Sequence, residues 1–237
     1  RRTAHLSTNS QADNIAFQNW RRFKEAYAPE LVDRAVRETS KALQRPVATC
    51  LDPFGGSGTT ALSCQFLGIL PLTVEVNPFL ADLIEAKLST YNLSELADGI
   101  RKITNKRSVS KKTALRIFRN APPTFIPPGK HGKYIFSHSV AQRIATLLQR
   151  IERIPSLKSR RLFRVMLASI AVDVSNVVVS GKGRRYRHNW KSRRYKSADV
   201  DKAFTAAVLN AVYDISKFAD RPTLKYYLLR GDARKLL

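Results

Sequence analysis

Sulfur is scarce in this 237-residue chain, which carries two cysteines and one methionine. Cys50 and Cys64 form no metal-ligand spacing with the four histidines, so no metal site is expected. Cys50 falls in a predicted strand and Cys64 in a predicted helix, where both read as small buried apolar residues of a reducing cytoplasm. Long apolar runs are missing too. The longest, Val165 to Val179, begins after Arg164 and is broken by Asp173, too short and too charged to span a bilayer. Acids are outnumbered: 18 Asp+Glu stand against 42 Lys+Arg, a formal charge of +24. Such a field attracts polyanions and speeds their encounter, which favours nucleic acid over an anionic membrane surface or an acidic protein.

What is present is a globular composition, 43% apolar and 9% aromatic, enough for a sizeable core. Residues 1–18 are polar and unpatterned and read as a flexible arm. Val32, Ala35, Val36 and Leu43 then mark an amphipathic helix opened by Pro29. Val47 to Leu51 reads as a short buried strand. A glycine-rich turn follows, then a helix through Phe66 closed by Gly68. Leu72 to Val76 is a second strand, and Asn77-Pro78 caps a helix bearing Leu80, Leu83, Ile84 and Leu88. Alternation of strand and helix implies parallel pairing. These residues, 19–91, are the expected ligand-binding α/β part.

From 92 to 220 the spacing becomes mostly helical, an expected insertion. It includes one helix through Val140, Ile144, Leu147, Leu148 and Ile151, and a central helix from Ser156 to about Val179. Another carries Val200, Phe204, Val208, Val212 and Ile215, with Ser197 as its N-cap. Leu224 to Leu229 reads as a third strand, so that 221–237 rejoin the α/β part.

The densest signal is Leu51-Asp52-Pro53-Phe54-Gly55-Gly56-Ser57-Gly58-Thr59-Thr60, followed by Val74-Glu75-Val76-Asn77-Pro78. A phosphate loop is disfavoured because no Lys follows the last glycine, and the dinucleotide fingerprint because the glycines are not spaced G-x-G-x-x-G. A tight turn with Glu75 solvated is the bland alternative. Read together, these residues resemble the S-adenosylmethionine site of the DNA methyltransferases that modify exocyclic amino groups, N4 of cytosine or N6 of adenine. Phe17 to Val32 is similar to the aromatic segment before that family's first strand, with Tyr27 and Phe23 candidates to close over the methionine end. Ordinary helix packing by Trp20 and Phe23 is the alternative there.

The resemblance implies an α/β fold: the first three strands of a Rossmann-like sheet, with a large helical insertion. It also implies a set of cofactor residues: Tyr27, Asp52, Pro53, Phe54, Gly56, Gly58, Thr59, Thr60, Glu75 and Asp232. Gly56 and Gly58 let the backbone approach the ligand. Asp52 is placed to meet the cationic methionine part, Glu75 to accept hydrogen bonds from both ribose hydroxyls, and Asp232 to accept from the adenine amine.

One family feature is missing. A ring amine is a poor nucleophile, and the family answers with Ser, Asp or Asn, then Pro-Pro and an aromatic residue, which polarise the amine and stack on the flipped base. Ala121-Pro122-Pro123-Thr124 has no leading acceptor and its aromatic, Phe125, comes late; Ile126-Pro127-Pro128-Gly129 lacks both features. No catalytic residue is therefore assigned, and a second polypeptide or a further segment, docked beside the first strand, is expected to supply the motif.

The segment 180–196 interleaves Lys182, Arg184, Arg185, Arg187, Lys191, Arg193 and Arg194 with Tyr186, Trp190 and Tyr195. Cations neutralise phosphates and aromatics stack on bases, so this segment is the expected DNA contact, against the plainer reading of a solvated surface. The combined expectation is the cofactor-binding part of a cytoplasmic restriction-modification DNA methyltransferase. An RNA guanosine N2-methyltransferase and a non-catalytic nucleic-acid-binding subunit are its rivals.

Overall fold

Helix ends and strand ends follow the capping chemistry of the sequence closely. The computed structural model describes residues 15–21, 26–105, 107–180, 183–192 and 195–237. These form two compact units, one of 1–91 with 211–237 and one of 92–210, the division falling inside a helix.

In the first unit, α1 (Pro29–Leu43) has Pro29 in its first turn, Glu30 beside the positive helix start and Lys41 in its last turn, each in the favourable place for the helix dipole. It ends at Gln44, in left-handed conformation. β1 (Thr49–Asp52) leads through the glycine turn to α2 (Thr59–Phe66), whose N-cap is Gly58 with φ 81°. Gly68, at φ 74°, turns the chain out of α2 into β2 (Leu70–Glu75). Asn77 caps α3 (Pro78–Leu88), its side-chain oxygen accepting from the Phe79 N–H at 2.9 Å and the Leu80 N–H at 3.4 Å, a contact worth about 1 kcal/mol. Val32, Cys64 and Ile69 form one apolar cluster, with Tyr27, Val36, Val47 and Cys50 packed against it.

The sheet of this unit has the order β1-β2-β5, where β5 is Tyr227–Arg230, and both pairings are parallel. Register places Leu51, Leu72 and Tyr227 in one row and Val74 beside Leu229 on the same face. That face is covered at its centre, where Val74 is 1% exposed, but not on the two outer strands, where Leu51 is 52% exposed, Tyr227 55% and Leu229 43%. Parallel sheets ordinarily bury both faces.

The second unit contains α4 (Leu93–Ile103), α5 (Lys111–Ile117), α6 (His138–Ile151), α7 (Leu157–Ser169) and the hairpin β3 (Val177–Ser180) with β4 (Gly183–Tyr186). Leu96, Ile103, Leu147, Ile151, Leu162 and Phe163 are fully buried in its core, each contributing roughly 1.5–3 kcal/mol. Gly99 lets α4 and α7 meet closely, since a Cβ there would lie 2.7 Å from the Phe163 ring. Arg143, buried on α6, donates to Asp201 at 2.6 Å and to the Asn105 carbonyl at 3.0 Å. Asp201 belongs to α8 (Ser197–Lys217), the helix in which the two units divide.

Several expectations are corrected. The helix from Ser156 to Val179 ends at Ser169, and its last residues instead form β3, because Val177 to Val179 are β-branched and pair with Arg184 to Tyr186. The insertion is thus not wholly helical. α8 starts at Ser197 itself, with the Lys196 N–H donating to the Asp199 carboxylate at 2.7 Å, so Ser197 is not its N-cap. The expected arm lies outside the described residues over 1–14. At its end, though, Phe17 and Gln18 are buried. The Phe17 N–H and the Trp20 indole N–H both donate to Asp214, at 3.0 and 2.9 Å. Replacing Asp214 by Ala strands both donors, and a loss of about 2–4 kcal/mol is expected in chemical denaturation.

Candidate functional site

Parallel strands deliver their carboxyl ends to one side, and here each runs straight into a turn. Between these turns, after β1, β2 and β5, lies a cavity of about 610 Å³, within the size range of small-molecule sites. Tyr27, Pro53, Phe54, Gly56, Thr59, Glu75 and Asp232 line it, together with Arg234 and Leu80.

Glu75 organises the floor. It is 7% exposed, and its two oxygens accept the Gly56 and Asn77 backbone N–H groups, each at 2.7 Å. These short charge-assisted bonds tie the turn after β1 to the turn after β2. A carboxylate oxygen accepts more than one hydrogen bond, so acceptor capacity remains towards the cavity.

Gly55 also lines the cavity and is absent from the expected set. A Cβ there would lie 2.4 Å from Thr73 Cγ2 and 2.9 Å from Ile84 Cδ1. Its N–H donates to the Val74 carbonyl at 2.9 Å, pinning the turn on β2. Gly58 is also packed against Ile84, at 2.9 Å for an added Cβ. Nothing local in the sequence marks Gly55 as sterically closed, because Thr73 and Ile84 come from later elements.

Asp52, Gly58 and Thr60 do not line the cavity. Asp52 turns back on its own loop, accepting the Phe54 N–H at 3.0 Å, and receives the Tyr27 hydroxyl at 3.4 Å. Thr60 is hydrogen-bonded to the same Tyr27 hydroxyl. Tyr27 is thus held by two of the residues expected to touch a ligand. Burial, together with the Asp52 charge, raises its phenol pKa despite the Thr60 bond. Gly58 is spent on capping α2. Phe23 lies outside the described residues, and Trp20 is buried beside Phe17, ring centroids 5.1 Å apart.

Asp232 reaches the cavity but is engaged. It caps the short helix α9 (Ala233–Leu236) by accepting the Arg234 N–H at 3.1 Å, and the Arg234 guanidinium grips its carboxylate at 2.6 Å. The Arg234 hydrogen bonds hold the carboxyl below its ordinary range.

Beneath the turn, Lys87 of α3 is 1% exposed and donates from Nζ to the Ser57 carbonyl at 2.8 Å. Burial lowers its pKa from 10.5 to about 7, against the opposing charge of Asp214. Folding therefore favours the neutral amine, and the penalty for the charged form is fully present below about pH 7 and relieved as pH rises towards 10.5. The melting temperature is expected to climb between those limits, and K87M to flatten that climb in a calorimetric pH series.

Cys64 donates its S–H to Cys50, which lowers the Cys50 pKa to about 7 and raises that of Cys64. Both cysteines are free, Cys64 buried and Cys50 partly so. Among the described residues no cluster of metal-ligating side chains occurs, and no helix is long and apolar enough to cross a membrane.

The basic segment lies on and after the β3–β4 hairpin of the second unit. Arg184, Arg185 and Lys191 are exposed. Arg187 is not: it turns inward to donate to the Ser175 and Val172 carbonyls, each at 3.0 Å. Trp190 packs edge-on against Tyr134, centroids 5.5 Å apart, and lies 5.2 Å from Tyr186. Both side chains are thus engaged by neighbours at the hairpin. Lys182, Arg193 and Arg194 fall outside the described residues. In the same unit Phe125 is packed between Phe118 and Phe136, at 4.9 and 5.0 Å, so its ring is taken up by neighbours.

Comparison with known proteins finds relatives of one kind. The chain is 25% identical over 220 residues to the Type II methyltransferase M.BsoBI of Geobacillus stearothermophilus, covering 91% of this chain and 40% of that protein. It is 36% identical over 56 residues to the Type II methyltransferase M.MjaII of Methanocaldococcus jannaschii, 24% of this chain and 11% of that one. Over 68 residues it is 34% identical to the Type II methyltransferase M.AvaI of Nostoc sp., 29% of this chain and 14% of that one. The chain thus spans two fifths or less of the length of these relatives. No family model matches, and no solved structure does. The resemblance to DNA methyltransferases read from the glycine turn stands, carried now by these relatives.

Proposed function

We propose that this chain is the S-adenosylmethionine-binding part of a site-specific DNA methyltransferase acting on an exocyclic amino group in restriction-modification. N4 of cytosine is favoured over N6 of adenine by the context of the glycine motif. The cavity at the joined ends of β1, β2 and β5 carries the reading, because residues from all three strand ends and Tyr27 converge there. Its volume and its acids suit an adenosyl cofactor, whose ribose offers two hydroxyl donors and whose sulfonium is a cation.

Bound there, S-adenosylmethionine supplies an activated methyl group. Glu75 orients the ribose with the acceptor capacity left over from its backbone bonds. Asp232 accepts the adenine amine once Arg234 releases it. Tyr27, braced by Asp52 and Thr60, forms the wall near the methionine end, so Asp52 acts through Tyr27. The Pro53-Phe54 step closes the remaining side. Most of the rate in such a transfer comes from positioning and electrostatics.

The acceptor for the target amine is proposed to come from further polypeptide. The half-bare apolar face formed by Leu51, Tyr227 and Leu229 supports this reading, because such a parallel sheet needs a second cover. The exposed Arg184, Arg185 and Lys191 supply phosphate contacts. R184A/R185A is expected to weaken DNA binding by about tenfold at low salt and to reduce the slope of log affinity against log salt by about two. Unchanged affinity in a filter-binding series overturns that assignment.

The test of the reading is transfer of labelled methyl to DNA by the full-length polypeptide. Label on RNA alone favours the guanosine N2-methyltransferase. No cofactor binding in any assembly favours a nucleic-acid-binding subunit.

A further inference from the structure

A lysine with no access to water is an expensive choice beneath a binding loop. Lys87 is 1% exposed, and its folded environment opposes its charge. An apolar residue of similar volume would fill the same space without that penalty. What the lysine provides is a donor at the end of a long stem. Its Nζ reaches the Ser57 carbonyl at 2.8 Å, in the middle of the turn between Gly56 and Gly58.

Its neighbours explain the placement. Ile84, three residues earlier, lies on the same face of α3 and packs against the turn so closely that neither Gly55 nor Gly58 has room for a Cβ. Ile84 and Lys87 together form the seat of the turn: one sets how near it comes, the other holds its carbonyl down. In the same planar peptide the Gly58 N–H points opposite to that carbonyl, and it donates to the Gly55 carbonyl at 2.8 Å, while the Gly56 N–H at the start of the turn meets Glu75 at 2.7 Å.

Lys87 is also tied to the rest of its unit. Asp214 of α8 is the opposing charge that faces it, and the same carboxylate accepts from Phe17 and Trp20. Arg221 donates to the Lys87 and Ser89 carbonyls, at 2.7 and 2.8 Å, fixing the end of α3.

We infer that Lys87 is a positioning residue: from beneath the cavity, through the Ser57 carbonyl, it holds the glycine turn in the shape that receives the adenosyl cofactor. The inference rests on the reading of the cavity as a cofactor site. It adds a residue that touches no ligand and lies well after the glycine motif in the chain.

The experiment is K87M in the full chain, read in two ways. Hydrogen exchange of the Gly56 and Gly58 amides without ligand is expected to quicken about tenfold relative to wild type, the loss of one buried hydrogen bond. S-adenosylhomocysteine affinity is expected to fall by a similar factor, with the melting temperature little changed. Unchanged exchange of the turn overturns the inference. So does a loss of affinity that merely follows a fall in melting temperature. Should the wild-type chain bind no adenosyl compound, the cofactor reading fails, while the exchange result still decides whether Lys87 holds the turn. Should K87M not fold, wild-type protein labelled with ¹³C at lysine Cε serves instead. The titration midpoint of Lys87 is expected to move when S-adenosylhomocysteine is added, and an unmoved midpoint overturns the inference.

Discussion

Replacing Glu75 by Ala is expected to weaken adenosyl-cofactor binding at least about 100-fold, the largest effect of any single side chain at the site. The substitution strands the Gly56 and Asn77 N–H groups, each now bonded to the carboxylate at 2.7 Å, and removes the proposed ribose acceptor. Hydrogen bonds to a charged group contribute roughly 1.5–3 kcal/mol each, and about 2.7 kcal/mol already amounts to 100-fold. Glu75→Gln separates the two roles. Its single oxygen replaces one of the two backbone contacts and its amide nitrogen repels the other, so an intermediate loss is expected. Titration calorimetry with S-adenosylhomocysteine measures both variants, and a Glu75→Ala protein that binds within threefold of wild type refutes the role.

Gly55→Val is expected to eliminate cofactor binding and to lower stability together. Even a Cβ meets Thr73 at 2.4 Å and Ile84 at 2.9 Å, and Thr73 and Ile84 are themselves buried. Over-packing of this kind costs about 1–3 kcal/mol, and the turn relieves it by moving into the cavity. Gly68→Ala is the control. Its φ is positive, 74°, but no atom lies within 4 Å of an added Cβ. A loss of roughly 1 kcal/mol from left-handed strain alone is expected, with cofactor affinity kept. Equal effects of the two substitutions on binding would remove the steric argument for Gly55.

The contrast between these glycines shows how far the sequence could be read. Caps were legible because their chemistry is local: Pro29, Asn77 and Gly68 act on the nearest turn of chain. The glycine turn was legible as a motif, and its strand ends do gather around one cavity. Which residues face that cavity was not legible. Asp52 and Thr60 are drawn off by Tyr27, and Asp232 by Arg234, through contacts that depend on where the Tyr27 and Arg234 side chains reach. Gly55 matters because Thr73 and Ile84, from a later strand and helix, close on it. Lys87 stands at helical spacing from Leu80, Leu83 and Ile84, and that place on the apolar face of α3 is the sequence signal of its burial.

The hairpin shows the opposite failure. Val177 to Val179 continue an apolar run, which by itself predicts the end of a helix. Only the partner strand, with Arg184 to Tyr186 in antiparallel register, distinguishes the two periods. Arg187 and Trp190 share composition with Arg184 and Arg185, but the Ser175 and Val172 carbonyls and the Tyr134 ring claim them.

Everything proposed for the first unit depends on a methyl-donor nucleoside occupying the space above Glu75. Titration calorimetry of the wild-type chain with S-adenosylmethionine, repeated with Glu75→Ala, tests this most directly. One-to-one binding in the first titration, and affinity at least about 100-fold weaker in the second, is the predicted pair. Binding undiminished by the substitution places the nucleoside elsewhere and contradicts the account.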